Sequence, residues 1–366
     1  MQRRPIDRLL LIFFLALLGT GLVIFISAAL GVLTRSEDKF QNVIVSQLVL
    51  GLGGGTVAFF VALRIPMKFW KQNAFWILIA ALFFSLLVFV PGVGMEHGGA
   101  KRWLDFRLFN VQPAEFLKFA LVLYLAAWFT QFHRKVHSSA WGLYPLLGVL
   151  GIAGTILLAQ PDTGTFLIGV AAGIAIFLVA GGKWTHFLLM MLGGIILLAG
   201  MAYTKPYIMD RITTLIYPSS DPHGSGYQIK QSLIAIGSGG LTGRGFGQSV
   251  QKFNYLPEPI GDSVFAVAGE ELGFIGTVTL IFLYLLFGLR GLWVAAHAED
   301  RFSGLFAVGL VILIISQSFV NIGSMLALGP LTGVPLVFVS HGGTALLAAM
   351  AETGVILNIS RHRQNI

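Results

Sequence analysis

The sequence predicts an all-α integral membrane protein with about ten transmembrane helices. Of its 366 residues, 56% are hydrophobic and 11% are charged, whereas soluble globular domains average about 25% charged residues. Apolar runs of about 20 residues recur along the whole chain, and each can cross a hydrocarbon core roughly 30 Å thick. Because no long polar block could hold a separate soluble domain, we predict a single polytopic membrane domain over residues 1–366.

The predicted helices alternate between short connections on one side and longer connections on the other. The first apolar run follows Arg3, Arg4 and Arg8. It is too long for the h-region of a signal peptide, so we interpret it as a retained helix. An even number of spans places both termini on the same side of the membrane. The predicted spans cover residues 9–30, 42–63, 74–93, 114–132, 141–159, 166–181, 187–203, 263–290, 304–323 and 340–360.

The charge distribution predicts which side is cytoplasmic. The turns and tails of one side carry thirteen Lys and Arg residues and three acidic residues, a net charge of +10, whereas the rest of the chain carries −2. An excess of Lys and Arg marks the cytoplasmic loops of membrane proteins. We therefore predict that both termini are cytoplasmic. The overall charge of +8 then reflects topology and does not indicate nucleic-acid binding.

The longest predicted loop, residues 204–262, lies on the extracytoplasmic side between helices seven and eight. A loop of this length inside a compact protein is usually functional. Within it, residues 228–236 have the pattern of a short amphipathic helix lying at the membrane interface. Six glycines lie between Gly237 and Gly247, and they favour tight turns and close approach to a ligand. No strand precedes them in an all-helical chain, so they do not form a dinucleotide-binding motif.

Four groups of ionisable residues lie at the outer ends of predicted helices, where burial near membrane depth makes each a functional candidate. In the first group, Gln112 and Pro113 precede Glu115 and Lys118, which share one helix face because they are three residues apart. One interpretation is a self-neutralising pair that tolerates burial. The other is a lysine presented to an anionic group.

The second group is Lys101-Arg102-Trp103, in the preceding outer loop. Lys101 and Arg102 could bind a phosphate, with the arginine in a bidentate fork. Trp103 could lie at the level of the lipid headgroups. A plain headgroup anchor is the alternative interpretation of the same three residues.

The third and fourth groups are carboxylates. Asp162, in the connection 160–164, is either functional or a cap for the following helix. Asp262 follows Glu258 at the start of a long apolar helix; it too could be an N-cap, although Ser263 could cap equally well. The four groups together predict cations and a carboxylate on one membrane face. Cysteine is absent, and no Ser-His-Asp set is evident, so this pairing suits a phosphate-bearing substrate with a hydroxyl to be deprotonated.

The motifs resemble those of the SEDS family (shape, elongation, division and sporulation) of peptidoglycan glycosyltransferases, over essentially the whole length. Within the family, 249–252 and 269–273 resemble the FtsW branch, with the RodA branch as the alternative. Two positions depart from the family pattern: Ile260-Gly261-Asp262-Ser263 replaces His-Thr-Asp-Phe, and His341 stands where tyrosine is usual. The matching motifs are Lys101-Arg102-Trp103, Gln112-Pro113-Ala114-Glu115 with Lys118, Gln160-Pro161-Asp162-Thr163-Gly164-Thr165, Gly226-Tyr227-Gln228 with Gln231-Ser232, Leu256-Pro257-Glu258 with Asp262, 330–336, and 338–343.

The resemblance implies polymerisation of lipid II, a disaccharide-pentapeptide on undecaprenyl diphosphate, outside the cytoplasmic membrane and in the FtsW branch at the division septum. It implies that Asp262 is the catalytic base and that cations, or a divalent Mg²⁺ or Mn²⁺, stabilise the leaving diphosphate. Its expected partners are lipid II, the nascent glycan strand, membrane lipids, a class B penicillin-binding protein and other division or elongation proteins. The expected substrate contacts are Lys118, Glu115, Arg102, Lys101, Trp103, Gln112, Asp162, Glu258, Lys252, Arg244, Ser340 and His341.

Two other classes of function are open to this sequence. A lipid II flippase needs polar groups through the full depth of the membrane, and Glu352 is the main ionisable residue away from the outer helix ends. A non-catalytic scaffold for division proteins would leave the buried Glu115 and Lys118 unexplained. Polymerisation of lipid II by the purified protein distinguishes both from a polymerase.

Overall fold

The computed structural model describes residues 5–34, 37–97, 100–106, 109–204, 206–217, 221 and 224–362. Within these residues, nine helices are long and apolar enough to cross a membrane, and a tenth apolar helix is shorter. They confirm the predicted fold class. Nine of the ten predicted spans match helices of that length, and the span predicted over residues 166–181 matches the shorter helix. The nine are α1 (Arg8–Leu33), α2 (Phe40–Ala62), α3 (Met67–Phe89), α4 (Pro113–Gln131), α5 (Ser139–Ala159), α7 (Trp184–Tyr203), α11 (Val264–Ala296), α12 (Arg301–Met325) and α13 (Gly343–Ser360), and the shorter helix is α6 (Thr163–Val179).

The two ends of the described chain meet on one face of the bundle, which we name the terminal face. The Asp7 amide donates to Ser360 Oγ (2.9 Å), and Arg290 Nη2 donates to the Asp7 carboxylate (2.7 Å). This arrangement agrees with an even number of spans. The opposite face, which carries Asp262 at the other end of α11 from Arg290, is named the site face.

The helices differ greatly in how much of their surface other helices cover. In α13, the rest of the protein buries 83% of an 18-residue hydrophobic stretch, whereas the same measure is 11% in α7. Close approach of α2 explains part of the burial of α13, because a Cβ on Gly354 would lie 2.5 Å from the Phe59 carbonyl oxygen. The bundle therefore has a dense centre around α12 and α13, while α7 presents most of its side chains outward.

A small antiparallel sheet interrupts the helices on the site face, where the sequence analysis predicted only loop. It consists of β1 (Gly94–His97), β2 (Ala100–Asp105) and β3 (Asn110–Val111), in that order. Met95 pairs with Trp103 and Leu104 pairs with Val111. The segment lies between α3 and α4, outside the hydrocarbon core, so its backbone does not have to be helical. Pairing of the strands satisfies its backbone hydrogen bonds.

The segment 204–262 contains three helices between α7 and α11; its residues 205, 218–220 and 222–223 lie outside the described part. The helices are α8 (Pro206–Ile216), α9 (Ser225–Ser238) and α10 (Gln251–Asn254). The predicted amphipathic helix 228–236 is confirmed within α9, whereas α8 was not predicted. Ile229 and Ala235 of α9 are buried, and Gln228 Nε2 donates to Ser263 Oγ (2.9 Å). The apolar side of α9 therefore packs against the protein.

The glycines after α9 approach another helix, whereas the sequence analysis predicted approach to a ligand. Helix α11 is kinked at Gly273, whose φ is +66°. At this kink, the amides of Arg244 and Gly245 donate to the Glu270 and Glu271 carbonyls (both 3.0 Å), and the Phe274 amide donates to the Gly240 carbonyl (2.9 Å). A Cβ on Gly243 would collide with the Glu271 carbonyl. The loop thus supplies the hydrogen bonds that α11 loses at its kink.

Candidate active site

Asp262 lies on the site face directly before α11. The N-cap of that helix is Ser263, and Asp262 does not cap it, so the capping alternative for Asp262 is excluded. The backbone carbonyl of Asp262 accepts from Asn321 Nδ2 (2.9 Å), and the same amide group donates to the Val334 carbonyl (2.9 Å). One side chain of α12 therefore joins the Asp262 segment to the 330–342 segment.

Gly333 lies between the Asp262 carboxylate and the Arg102 guanidinium. A Cβ at this position would be 3.5 Å from Asp262 Oδ2 and 3.8 Å from Arg102 Nη1. Gly333 also has φ +70°, in the region that glycine adopts without steric cost. The backbone of the 330–342 segment thus lies close to both the Asp262 carboxylate and the Arg102 guanidinium.

Strand β2 carries Arg102, and a connection between two helices fixes its side chain. Its Nε donates to the Gln160 carbonyl (3.2 Å), and its Nη2 donates to the Pro161 carbonyl. Gln160 is itself fixed, since its Nε2 donates to the Ser85 carbonyl (2.8 Å). These contacts leave Nη1 as the guanidinium nitrogen nearest Gly333.

Asp162, the next residue along, is a helix cap. Its Oδ1 accepts from the Thr165 amide (3.3 Å), and its Oδ2 accepts from Gln112 Nε2 (3.3 Å). Asp162 is buried. Of the two interpretations of Asp162, the structure therefore favours capping, and Gln112 stabilises that cap.

A second arginine reaches the site from α8. Arg211 Nη1 donates to Thr163 Oγ1 (3.1 Å), and its charge acts on Asp262. Sequence reasoning missed Arg211 because α8 was not predicted. The amphipathic pattern of Pro206–Ile216 at the helical period is the signal that could have found it.

The surroundings of Asp262 tune its proton affinity. The pKa of its carboxyl is raised to about 6, first by burial and then by the negative charge of Glu258, whereas the charges of Arg102 and Arg211 lower it. A carboxyl group with a pKa near 6 is mostly ionised at pH 7 and still accepts a proton readily. Pairs of opposing influences on one carboxyl group are typical of functional sites.

Glu115 and Lys118 form a buried ion pair on α4. Lys118 Nζ lies 3.0 Å from Glu115 Oε2, and it also donates to Gln317 Oε1 on α12. Glu352 of α13 lies within electrostatic range of both. Lys118 is 2% exposed, so the structure favours the self-neutralising interpretation of this pair. Gln317 Nε2 also donates to the Pro335 carbonyl (3.2 Å), which connects Lys118 to the segment that carries Gly333.

Lys252 was predicted to contact substrate, but the structure encloses it. Its Nζ lies 2.6 Å from Glu271 Oε1 and donates to Ser27 Oγ (2.9 Å), and the side chain has no exposed surface. Arg244, also predicted to contact substrate, pairs with Glu270 (3.3 Å). Both basic residues bind the kinked part of α11 because two buried carboxylates there need counter-charges.

The remaining predicted contacts divide into exposed and structural residues. Lys101 is exposed and lies 4.0 Å from Glu96, while Trp103 is partly buried on β2. Ser340 is buried, and its hydroxyl donates to the Gly261 carbonyl (2.7 Å). The His341 amide donates to the Ile260 carbonyl (2.6 Å), and burial lowers the pKa of its imidazole to about 4. Ser340 and His341 thus support the backbone on which Asp262 lies.

The described residues include no group of three or more His, Asp or Glu side chains that could hold a metal ion. Among the described residues, the acid that acts on Asp262 is Glu258, and its side chain is exposed. This donor set does not fit a metal ion held by the protein alone.

The sequence matches one family model over nearly its whole length. The model FTSW_RODA_SPOVE, described as "Cell cycle protein", matches residues 7–365. The chain belongs to the FtsW/RodA/SpoVE family. This result confirms the family that the motifs predicted, and with it a multi-pass membrane protein.

Curated relatives resemble this family member from end to end. Stage V sporulation protein E of Bacillus subtilis (strain 168) is 38% identical over 357 residues, covering 97% of each chain. A "Probable peptidoglycan glycosyltransferase FtsW" of Thioalkalivibrio sulfidiphilus is 38% identical over 358 residues, covering 96% of this chain and 88% of the relative.

Solved structures of related proteins have the same fold. A chain in the structure described as "Structural coordination of polymerization and crosslinking by a peptidoglycan synthase complex" superposes with a TM-score of 0.80, at 26% identity and 98% coverage of both chains. The Thermus thermophilus rod shape determining protein RodA gives a TM-score of 0.70 at 26% identity, covering 99% of this chain and 98% of RodA.

Proposed function

We propose that this protein is a peptidoglycan glycosyltransferase that polymerises lipid II into β-1,4-linked glycan strands, with Asp262 as its catalytic base. The observation that carries the proposal is the Asp262 carboxylate, which lies close to the Arg102 guanidinium across Gly333 and has a raised pKa of about 6. Full-length relatives named as probable peptidoglycan glycosyltransferases support the reaction class.

The reaction requires a base for one hydroxyl and positive charge for one leaving group. Asp262 takes the proton of the acceptor GlcNAc 4-hydroxyl as that oxygen attacks C1 of the donor MurNAc. The bond from C1 to the diphosphate oxygen breaks, and the α-linked donor becomes a β-linked product. A single displacement of this kind inverts the anomeric centre and needs one base on the attacking side.

The leaving diphosphate departs as a stable anion, so it needs charge stabilisation more than it needs a proton. Arg102 and Arg211 are the cations whose charge reaches Asp262. Guanidinium groups suit this role because they bind phosphate oxygens in a bidentate fork. Exposed Lys101 extends the positive charge along β2. Trp103 on the same strand and Glu258, whose charge acts on Asp262, are further candidate contacts.

A divalent Mg²⁺ or Mn²⁺ at the diphosphate is a further candidate. The described residues offer no three-ligand group, so such an ion would bind mainly through the substrate's own oxygens. No step of the proposed reaction depends on it.

Replacement of Asp262 tests the reaction directly. Asp262→Asn keeps the size of the side chain and removes the base, so we expect glycan polymerisation by the purified protein from lipid II to fall by about 10²–10⁴-fold. The matched control is Glu37→Gln, which neutralises an exposed acid between α1 and α2 and should retain most activity. Near-normal polymer length and rate from Asp262→Asn, with an unchanged melting temperature, would remove the central claim.

We also propose that the site face is extracytoplasmic. The charge excess on the opposite side supports this orientation. The cysteine-free chain allows single-cysteine labelling with a membrane-impermeant maleimide in intact cells. Asn254→Cys, at the exposed end of α10, should react, and Ser138→Cys on the terminal face should not. The reverse pattern would place Asp262 in the cytoplasm, where this reaction could not build the wall.

The cellular role that fits best is septal synthesis in division, with a class B penicillin-binding protein as partner. Relatives named FtsW at 34–39% identity support division, and the synthase-complex structure supports a partner that crosslinks. Sporulation, as in the Bacillus subtilis relative, and RodA-type elongation are the alternative roles. Complementation of conditional mutants in each process distinguishes them.

A further inference from the structure

A cavity of about 570 Å³ opens on the terminal face, at the end of the bundle away from Asp262. Its volume lies within the range of roughly 300–1,000 Å³ that is typical of small-ligand sites. Two connections form its walls, one between α4 and α5 and the other between α6 and α7. The lining residues are Arg134, Lys135, His137, Ser138, Ala140, Trp141 and Lys183.

The cavity has an uncompensated positive charge. Arg134, Lys135 and Lys183 are all exposed, and the lining contains no carboxylate. Over the described ranges, none of the five ion pairs includes any of these three residues. Three cations at the mouth of one cavity favour a ligand with at least one negative charge.

An aromatic cluster supports one wall of the cavity. The ring of Trp141 lies 4.5 Å from that of Phe132, and Trp128 Nε1 donates to the Trp141 carbonyl (3.1 Å). Lys135 Nζ lies 4.9 Å from the centre of the Trp141 ring, within the range of a cation–π interaction. Tryptophan at a helix end is typical of the membrane–water interface, so this cavity lies at headgroup level.

Apolar helix surfaces continue from the cavity toward the middle of the membrane. Tyr144 and Leu147 of α5 are exposed, as are Trp184 and Leu188 of α7. These residues lie within the first three turns of the two helices that begin beside the cavity. A ligand with an anionic head in the cavity could therefore place apolar chains along α5 and α7, which a free phosphate ion could not do.

We propose that this cavity binds the phosphate-bearing headgroup of an anionic phospholipid from the adjacent leaflet. Arg134, Lys135 and Lys183 bind the phosphate, and Trp141 lies against the glycerol backbone. The site is separate from Asp262 and does not depend on the proposed reaction. Bound lipid would join the α4–α5 connection to the α6–α7 connection.

The experiment uses the full chain in nanodiscs of phosphatidylcholine with increasing phosphatidylglycerol, and native mass spectrometry counts the retained lipids. The site variant is Lys135→Gln with Lys183→Gln. The control variant, Lys68→Gln with Lys71→Gln, removes the same charge from exposed lysines at the start of α3. We expect the site variant to lower the affinity for the tightest phosphatidylglycerol by at least about 10-fold, since it removes two of the three cations that hold the phosphate through charge-assisted hydrogen bonds. The control should change it less than about 3-fold.

Three results would overturn the proposal. Equal losses in the site and control variants would mean diffuse attraction to the whole basic face. Retention of phosphatidylcholine as tight as that of phosphatidylglycerol would exclude recognition of the charge. A melting-temperature rise with inorganic phosphate in phosphatidylcholine nanodiscs, equal to that with phosphatidylglycerol, would assign the cavity to a small soluble anion.

Discussion

Two carboxylates nine residues apart, Asp262 and Glu271, have opposite surroundings. Glu271 is buried, lies 2.6 Å from Lys252 Nζ, and accepts from Ser27 Oγ (2.7 Å) and the Ser249 amide (3.3 Å). Among the described residues, none of the ion pairs includes Asp262. Its charged neighbours act from a greater distance, and its pKa is raised to about 6.

The difference distinguishes a carboxylate that stabilises the fold from one that can take part in a reaction. A buried carboxylate with a close ammonium partner holds two segments together. A carboxylate balanced between burial, an acid and two arginines can exchange a proton near neutral pH. Both kinds lie on the site face, so depth in the membrane alone does not distinguish them.

The largest expected effect is on the structural carboxylate. Lys252→Ala leaves Glu271 buried without its counter-charge, and we expect a loss of about 3–5 kcal/mol in the free energy of unfolding. The measurement is thermal or denaturant unfolding in detergent. Lys252→Met with Glu271→Gln, which removes both charges, should regain most of that loss. If Lys252→Ala is as stable as the wild type but inactive, Lys252 belongs to the site after all.

Lys118 and Glu115 test whether a buried pair can also serve the site. Lys118→Met with Glu115→Gln removes both charges, so we expect stability close to that of the wild type. Polymerisation should still fall by about 10-fold, a change of ~1.4 kcal/mol in the barrier, because Gln317 then loses the partner that orients it toward Pro335. Normal polymerisation by the double variant would show that the pair is purely structural. The single variant Lys118→Met is the control, because it leaves the Glu115 carboxylate buried without its partner and shows the cost of that charge alone.

The smallest effect is a shift in pH dependence. Polymerisation should fall as the pH drops through about 6, because Asp262 becomes protonated. Arg102 lowers the pKa of Asp262, so Arg102→Gln should move this acid limb to higher pH by about 1 unit. Glu258 raises the pKa, so Glu258→Gln should move the limb to lower pH. Shifts of kcat against pH in the same direction for both variants would contradict the assignment of the limb to Asp262.

The sequence by itself determined the family, the fold class and the order of the apolar helices. Hydropathy and charge are local properties that are evaluated over about 20 residues. They can therefore be evaluated without knowing how the helices pack. Asp262 and Arg102 were found in the same way, as ionisable residues at the outer ends of apolar runs. Helix α8 and the β1–β3 sheet were missed, because short elements between spans give weak periodic signals.

Only the tertiary structure decided which charges are free to act. Ser27 and Glu271, 244 residues apart in the chain, share a hydrogen bond, and this contact is what encloses Lys252. Asn321 and Gln317, neither of them a predicted site residue, hold the segment that brings Gly333 between Arg102 and Asp262. The proton affinity of a carboxyl group depends on burial and on charges within a few ångströms, and those distances are set by the packing of helices far apart in the sequence.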